Sequence, residues 1–336
     1  MSLLGIKLKL GIFPNTKKID KQYDALVKEY NEYLEFSNSK ELERFEYLNK
    51  YLNSSEFEEK ENNPSIDRAE IEEVKNEFEQ IKKSPRLIRY LKSKSQEAKF
   101  LPVKAWNLEF EDHFNGDKLD TNKWLTRYYW GDQLLNDSYS LPNDQHCNTN
   151  GKNISLSDSK LTIHTRNETA KGLMWNPVSG FDSREFSYTS GVINTGKSFR
   201  HMYGKVEAKI RVPKGKAYHA FWLASERMLP QINIFKYTGK KFYLGNFWGD
   251  LINSKGIKND ITEITGAFAG NYYIFSLTWT PKMLEWSING EVFKTTHQGI
   301  PTMPMYIAFG SGVENDSKLS ESLKLDIDWV RFYSKA

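Results

Sequence analysis

From Lys205 to Val212 the chain alternates strictly. Val206, Ala208, Ile210 and Val212 face one way, and Lys205, Glu207, Lys209 and Arg211 face the other. A period of two is that of a half-buried β-strand and does not suit a helix. The pattern returns at Leu284, Trp286 and Ile288, which run into Asn289-Gly290, a dipeptide that favours a tight hairpin. It returns again at Leu323, Leu325, Ile327 and Trp329. Short alternating strands with no helical pattern between them predict a β-sandwich or barrel. A stretch from residue 101 to 336 is long enough to fill one large two-sheet sandwich.

The first hundred residues read differently. Of 21 glycines only Gly5 and Gly11 lie there, and all 9 tryptophans lie beyond it, from Trp106 to Trp329. Glu, Lys, Leu and Tyr dominate, which favours helix. Ile19, Tyr23, Leu26, Val27, Tyr30, Tyr33 and Leu34 form one stripe at helical spacing. Leu42, Phe45, Leu48 and Leu52 form a second, and Ile71, Val74, Phe78 and Ile81 a third. Asn62-Asn63-Pro64-Ser65 separates these two. Ser84-Pro85 reads as an N-cap with proline at the first helical position, opening a fourth helix. The expected division is a helical region over residues 1–100 and a β domain over 101–336, with the boundary between Ser95 and Lys104 and Pro102 as punctuation. The charges of the helical part suit solvated helix faces, or an arm that packs on a partner.

Several classes are excluded or disfavoured. No apolar run is long enough to span a bilayer as a helix. Met1 to Phe13 is interrupted by lysines and lacks a small-residue cleavage site, so no signal peptide is expected, and the Met1 start reads as complete. The expected route is cytoplasmic synthesis, with incorporation into a particle as one outcome. The single cysteine, Cys147, forms no internal disulfide and supports no cysteine-based zinc site. A net charge of +4 gives no reason to expect nucleic acid.

One stretch is more specific than any periodicity. Tyr188-Thr189-Ser190-Gly191-Val192-Ile193-Asn194-Thr195-Gly196 is followed by Tyr203-Gly204-Lys205-Val206-Glu207-Ala208-Lys209-Ile210, and then by Ala220-Phe221-Trp222-Leu223. Asp112-His113-Phe114-Asn115-Gly116, Thr278-Trp279-Thr280-Pro281 and Asp328-Trp329-Val330-Arg331-Phe332-Tyr333 stand before and after it in order. Together they resemble glycoside hydrolase family 16, the laminarinase, lichenase and agarase group, over about residues 106 to 335. The resemblance implies a concanavalin-like β-jelly roll with a glycan cleft across its concave sheet. The helical region lies outside it.

The family's active enzymes carry Glu-x-Asp-x-x-Glu just after the Phe-Trp-Leu strand, as nucleophile, supporting acid and acid/base. Residues i and i+2 of a strand share a face, and a β-bulge brings the third carboxylate to the same side. Here the matching residues are Gln231-Ile232-Asn233-Ile234-Phe235-Lys236, so the resemblance places amides at Gln231 and Asn233 and an ammonium at Lys236. An amide is a poor nucleophile. A lysine, with an ordinary pKa of about 10.4, is a poor acid for a sugar oxygen near neutral pH. Leu244-Gly245-Asn246-Phe247-Trp248 also lacks the histidine that the family often has on its next strand. No catalytic residue is therefore expected to function.

Other acids offer no replacement. Glu207 lacks a partner at the separation that glycoside hydrolysis requires, and Glu226 and Glu263 fall at no recognised position. His146 beside Cys147 is a weak metal or thiol signal. No cofactor is expected apart from a calcium ion of the kind some family members hold, for which Asp112 and Asp326 or Asp328 would supply oxygens. Trp130, Trp175, Trp222 and Trp248 are candidates for stacking on sugar rings, with Trp130 and Trp175 in loop-like sequence, and Lys236 is a candidate partner for an anionic glycan. Three functions follow. The first is a non-catalytic glycan-binding protein. The second is a structural component of a larger assembly, such as a phage particle or secretion apparatus, held by the helical arm. The third is an active endo-glycanase using unrecognised acids.

Overall fold

The computed structural model describes residues 13–239, 241–249, 256–266, 268–314 and 317–336. The chain forms two compact units, Lys17–Trp106 with Ala336, and Asn107–Lys335 with Phe13–Thr16. This division departs from 1–100 and 101–336 at both ends. The helical unit runs to Trp106, and Phe13 belongs with the β unit, where its ring packs 5.9 Å from those of Phe268 and Tyr273.

In the helical unit the three stripes and the Ser84-Pro85 signal correspond to α1 (Thr16–Ser37), α2 (Lys40–Leu52), α4 (Arg68–Lys82) and α5 (Pro85–Ser95). A further helix, α3 (Ser55–Asn62), precedes the Asn63-Pro64 break. Phe57 is its one buried residue, so it shows no apolar stripe. Ser39 and Ser54 cap α2 and α3, accepting from Leu42 N at 3.2 Å and Phe57 N at 3.3 Å. Ser84 precedes α5 without a side-chain cap, because its hydroxyl donates to Glu41 Oε1 at 2.5 Å instead. Phe36, Leu42, Leu87 and Tyr90 form the core where α1, α2 and α5 meet.

The β unit is a sandwich of two sheets. In spatial order the larger runs Glu291–Thr296, Leu284–Ile288, Tyr272–Trp279, Gly204–Arg211, Leu323–Lys335, Lys160–Thr165 and Ile154–Ser157, and Trp106–Asp112 also pairs with Leu323–Lys335. The smaller sheet has six strands, numbered here in chain order: β1 (Val192–Asn194), β2 (Tyr218–Ala224), β3 (Gln231–Tyr237), β4 (Lys241–Trp248), β5 (Lys258–Thr265) and β6 (Tyr306–Gly312). They lie in the order β5-β4-β3-β2-β6-β1, all antiparallel.

The alternation seen in the sequence is the packing pattern. Val206, Ala208, Ile210 and Val212 are at most 1% exposed and join Leu284, Trp286, Ile288, Leu325 and Ile327 in one core with the inward side chains of the smaller sheet. The Asn289-Gly290 pair turns with positive φ at both residues, 49° and 79°, which a two-residue hairpin demands. Asn289 is also a bracket, its Oδ1 accepting from Ile274 N at 2.8 Å and its Nδ2 donating to Pro14 O at 2.8 Å. Among the described residues no helix is long and apolar enough to cross a membrane.

Candidate functional site

The outer face of the smaller sheet holds a cleft of about 370 Å³. Its floor comes from the residues of β2, β3 and β6 that alternate with the core. Ala220, Trp222 and Ala224 of β2, Gln231, Asn233 and Lys236 of β3, and Tyr306 and Ala308 of β6 all line it. Phe221, Leu223, Ile232, Ile307 and Phe309 point the other way, into the core.

Strict alternation would send Phe235 into the cleft and Lys236 into the core. A β-bulge reverses this. Against β2, Phe235 pairs with Phe221 and Asn233 with Trp222, so Ile234 has no counterpart. Against β4, Asn233 pairs with Gly245 and Lys236 with Tyr243, leaving Ile234 and Phe235 opposite Leu244 alone. Ile234 and Phe235 are both buried in the core, and Lys236 is returned to the cleft face. The bulge is held from the opposite sheet, where the indole N–H of buried Trp286 donates to Asn233 O at 2.9 Å. The three motif positions thus share one wall, and Gln231 Nε2 donates to Asn233 Oδ1 at 2.7 Å.

Lys236 is not a free cation. Its Nζ lies 2.5 Å from Glu314 Oε1 and 5.0 Å from the ring centre of Tyr218. Asp144 lines the cleft beside them. It meets Glu314 through an isolated antiparallel bridge, and its side chain is only 4% exposed. Burial raises the Asp144 carboxyl above the ordinary range, and Glu314 adds to the rise, against lowering by His146, the Leu141 N–H and Lys236. Neither acid was recognised in the sequence. They are 170 positions apart (314 − 144), and the bridge brings their segments together.

The helix Tyr129–Leu135 closes one side and brings Tyr129 and Trp130 to the cleft. It is anchored by buried Asp132, which accepts from Arg127 Nη2 at 2.5 Å and from Lys197 Nζ at 2.5 Å. Burial pushes that carboxyl up, but these bonds outweigh it and the net shift is downward. Tyr128 and Tyr218 also line the cleft, and burial raises both phenols well above their ordinary value. The Trp222 ring lies over Gly310, where an added Cβ would stand 3.1 Å from it.

The four tryptophans separate into two groups. Trp130 and Trp222 line the cleft. Trp130 stands on a helix and Trp175 on a strand, Ala170–Asn176, rather than in loops. Trp175 is outside the cleft lining and 38% exposed. Trp248 is likewise outside the lining, against Gly299, where a Cβ would come within 2.2 Å of its ring. On β4, Phe247 faces the cleft, while Asn246 is buried and donates to Gln298 O and Gly299 O, each at 2.9 Å.

The remaining candidates have other partners. Glu207 accepts from Ser276 Oγ at 3.1 Å on the larger sheet, Glu226 pairs with Arg200 at 3.3 Å, and Glu263 pairs with Lys241 at 2.7 Å. Asp112 accepts from Phe114 N and Trp124 Nε1, both at 2.8 Å. Asp326 pairs with Arg211 and Thr162, and Asp328 with Lys209. Among the described residues no cluster of three or more metal-ligating side chains exists. His146 and Cys147 are both buried, and burial raises the Cys147 thiol.

A sequence model of glycosyl hydrolases family 16 matches residues 141–331. A glucan endo-1,3-beta-glucosidase A1 of Niallia circulans is 26% identical over 214 residues, which are 58% of this chain and 30% of that protein. A glucan endo-1,3-beta-glucosidase of Cryptopygus antarcticus is 27% identical over 208 residues, 57% of this chain and 69% of that protein. The chain therefore spans less than a third of the first of these. Among solved structures, the catalytic domain of an endo-1,3-beta-glucanase (laminarinase) from Thermotoga petrophila superposes with a TM-score of 0.54 at 20% identity. That match covers 69% of this chain and 99% of the other and shows the shared jelly-roll fold.

Proposed function

The chain belongs to glycosyl hydrolases family 16, and from that premise we propose that its cleft holds an uncharged glycan without cleaving it. One observation carries the reading. The bulge brings Gln231, Asn233 and Lys236 to one cleft wall, and none of them is an acid. Retaining hydrolysis needs two carboxyl groups about 5 to 5.5 Å apart, one to attack and one to protonate the leaving oxygen. An amide at Gln231 does not attack. An ammonium at Lys236 opposes an oxocarbenium ion instead of stabilising it.

Recognition does not need those acids. Trp130 and Trp222 line the cleft together with Tyr129 and Tyr306, and pyranose rings stack on aromatic side chains of this kind. Lys236 is already paired with Glu314, so the cleft offers a sulfated or uronic glycan no unpaired ammonium at that position. Both relatives described above are glucan endo-1,3-beta-glucosidases, which makes β-1,3-glucan the first ligand to try. Electrophoresis through gels containing laminarin, with a reducing-end assay on the same samples, tests the reading. Retardation without new reducing ends is expected. Free migration on laminarin and on mixed-linkage glucan refutes it.

Asp144 and Glu314 support a second reading, hydrolysis by a displaced acid pair, because both line the cleft and the raised Asp144 carboxyl suits a proton donor. The geometry opposes it. The Asp144 side chain is nearly sealed and its Oδ2 already accepts from Leu141 N at 2.7 Å, while Glu314 is held by Lys236. Reducing ends that form with wild-type protein and vanish in Asp144→Asn would establish hydrolysis in place of binding alone.

A further inference from the structure

We propose that the hairpin Ala170–Phe186 is a distal subsite of the glycan cleft, with Trp175 as its platform. The inference rests on the binding reading above and extends it to a longer chain.

The hairpin is built into the cleft wall. Its first strand pairs in parallel with Tyr139–Ser140, Tyr139 opposite Leu173 and Ser140 opposite Met174, and Tyr139 lines the cleft. Its second strand, Gly180–Phe186, pairs antiparallel with the first and sets Phe181 opposite Trp175. Opposed residues, and those two apart, share a face of a sheet. Tyr139, Leu173, Trp175 and Phe181 therefore lie on one side.

The rings are in contact along that side. Centroids are 5.3 Å apart from Tyr128 to Tyr139, 5.2 Å from Tyr139 to Phe181 and 5.1 Å from Phe181 to Trp175. Exposure rises outward, from Tyr139 at 5% to Trp175 at 38%. The track thus leads from the cleft to an indole that solvent reaches. The indole at its end offers an apolar aromatic face of the kind on which a pyranose ring stacks.

The platform is also braced by hydrogen bonds. At the hairpin tip Asp182 Oδ2 accepts from Asn176 Nδ2 at 2.8 Å and from Ser179 Oγ at 2.6 Å, and Val178 N donates to Asn176 Oδ1 at 2.9 Å. Arg184 reaches back to Asp144 O at 3.4 Å, so the hairpin is tied to the cleft at its base as well. Little ordering remains for the ligand to impose.

The test is a titration of laminaritriose and of progressively longer β-1,3-glucan oligomers against the full chain, wild type and Trp175→Ala. Wild-type affinity should rise with oligomer length. Trp175→Ala should lose about 5- to 10-fold on long oligomers and nothing on the trimer. Trp175→Phe, which keeps a ring and guards against a folding artefact, should retain most of the gain. Trp222→Ala should weaken every length. If Trp175→Ala and wild type match at all lengths, the distal subsite is refuted and the cleft reading stands. If wild type binds no oligomer, the cleft reading fails and the subsite fails with it.

Discussion

Replacing His219 with glutamine should flatten the acid limb of the stability profile. His219 sits on β2 at 0% exposure, its ring 6.3 Å from that of Tyr237. Its Nδ1 is hydrogen-bonded to Ser311 Oγ, and among the described residues its Nε2 has no partner. Burial lowers its pKa from the ordinary 6.5 to about 3. The folded state therefore takes up a proton less readily than the unfolded chain, and stability falls as pH drops. The loss begins below the unfolded value near 6.5 and is complete below about 3. A shift of that size is worth at most about 5 kcal/mol, at roughly 1.4 kcal/mol per pH unit within the window. Glutamine can keep a bond to Ser311 but carries no proton to titrate, so any cost of its fit is independent of pH. Urea unfolding followed by tryptophan fluorescence, from pH 7 down to the acid limit, gives both profiles. Carboxylates contribute to each equally, so the difference in slope isolates the imidazole. Parallel profiles for wild type and His219→Gln would refute the burial argument.

Other outcomes follow from the site. Trp222→Ala should weaken binding of a β-1,3-glucan oligomer about tenfold or more, read by calorimetry, because it removes the ring that floors the cleft. Trp286→Phe should cost about 1 to 3 kcal/mol in urea unfolding, since it strands the carbonyl of Asn233 at the bulge. Lys236→Met should change stability by less than about 1 kcal/mol, because its ion pair with Glu314 joins side chains 32% and 41% exposed. A loss of several kcal/mol would mean that the pair is far better shielded than its geometry shows.

Much of this arrangement is legible in the sequence. The alternation at Val206–Val212 and the Asn289-Gly290 turn are local signals, and they reappear as a buried strand face and a hairpin with two positive φ values. The three altered motif positions were legible through the family resemblance. Their shared face required the bulge, which sits where the apolar pair Ile234-Phe235 must both be buried. What escaped the sequence is nonlocal or weak. Asp144 and Glu314 meet only because distant segments bridge. The helix Ser55–Asn62 has a single buried residue and so no stripe to detect. Trp175 reads as part of loop-like sequence, yet it stands in the strand Ala170–Asn176, the first of a hairpin. Phe13 gave no local hint that it would pack against Phe268 and Tyr273, more than 250 positions away.

The central claim is that the cleft keeps its grip on sugar after losing the acids that cut it. The most direct measurement is to equilibrate wild-type protein with a long β-1,3-glucan oligomer, determine the bound fraction, then release the ligand and weigh it by mass spectrometry. The account predicts a saturable bound fraction and an oligomer recovered at its original mass. Shortened products, or an oligomer that never associates, would contradict it.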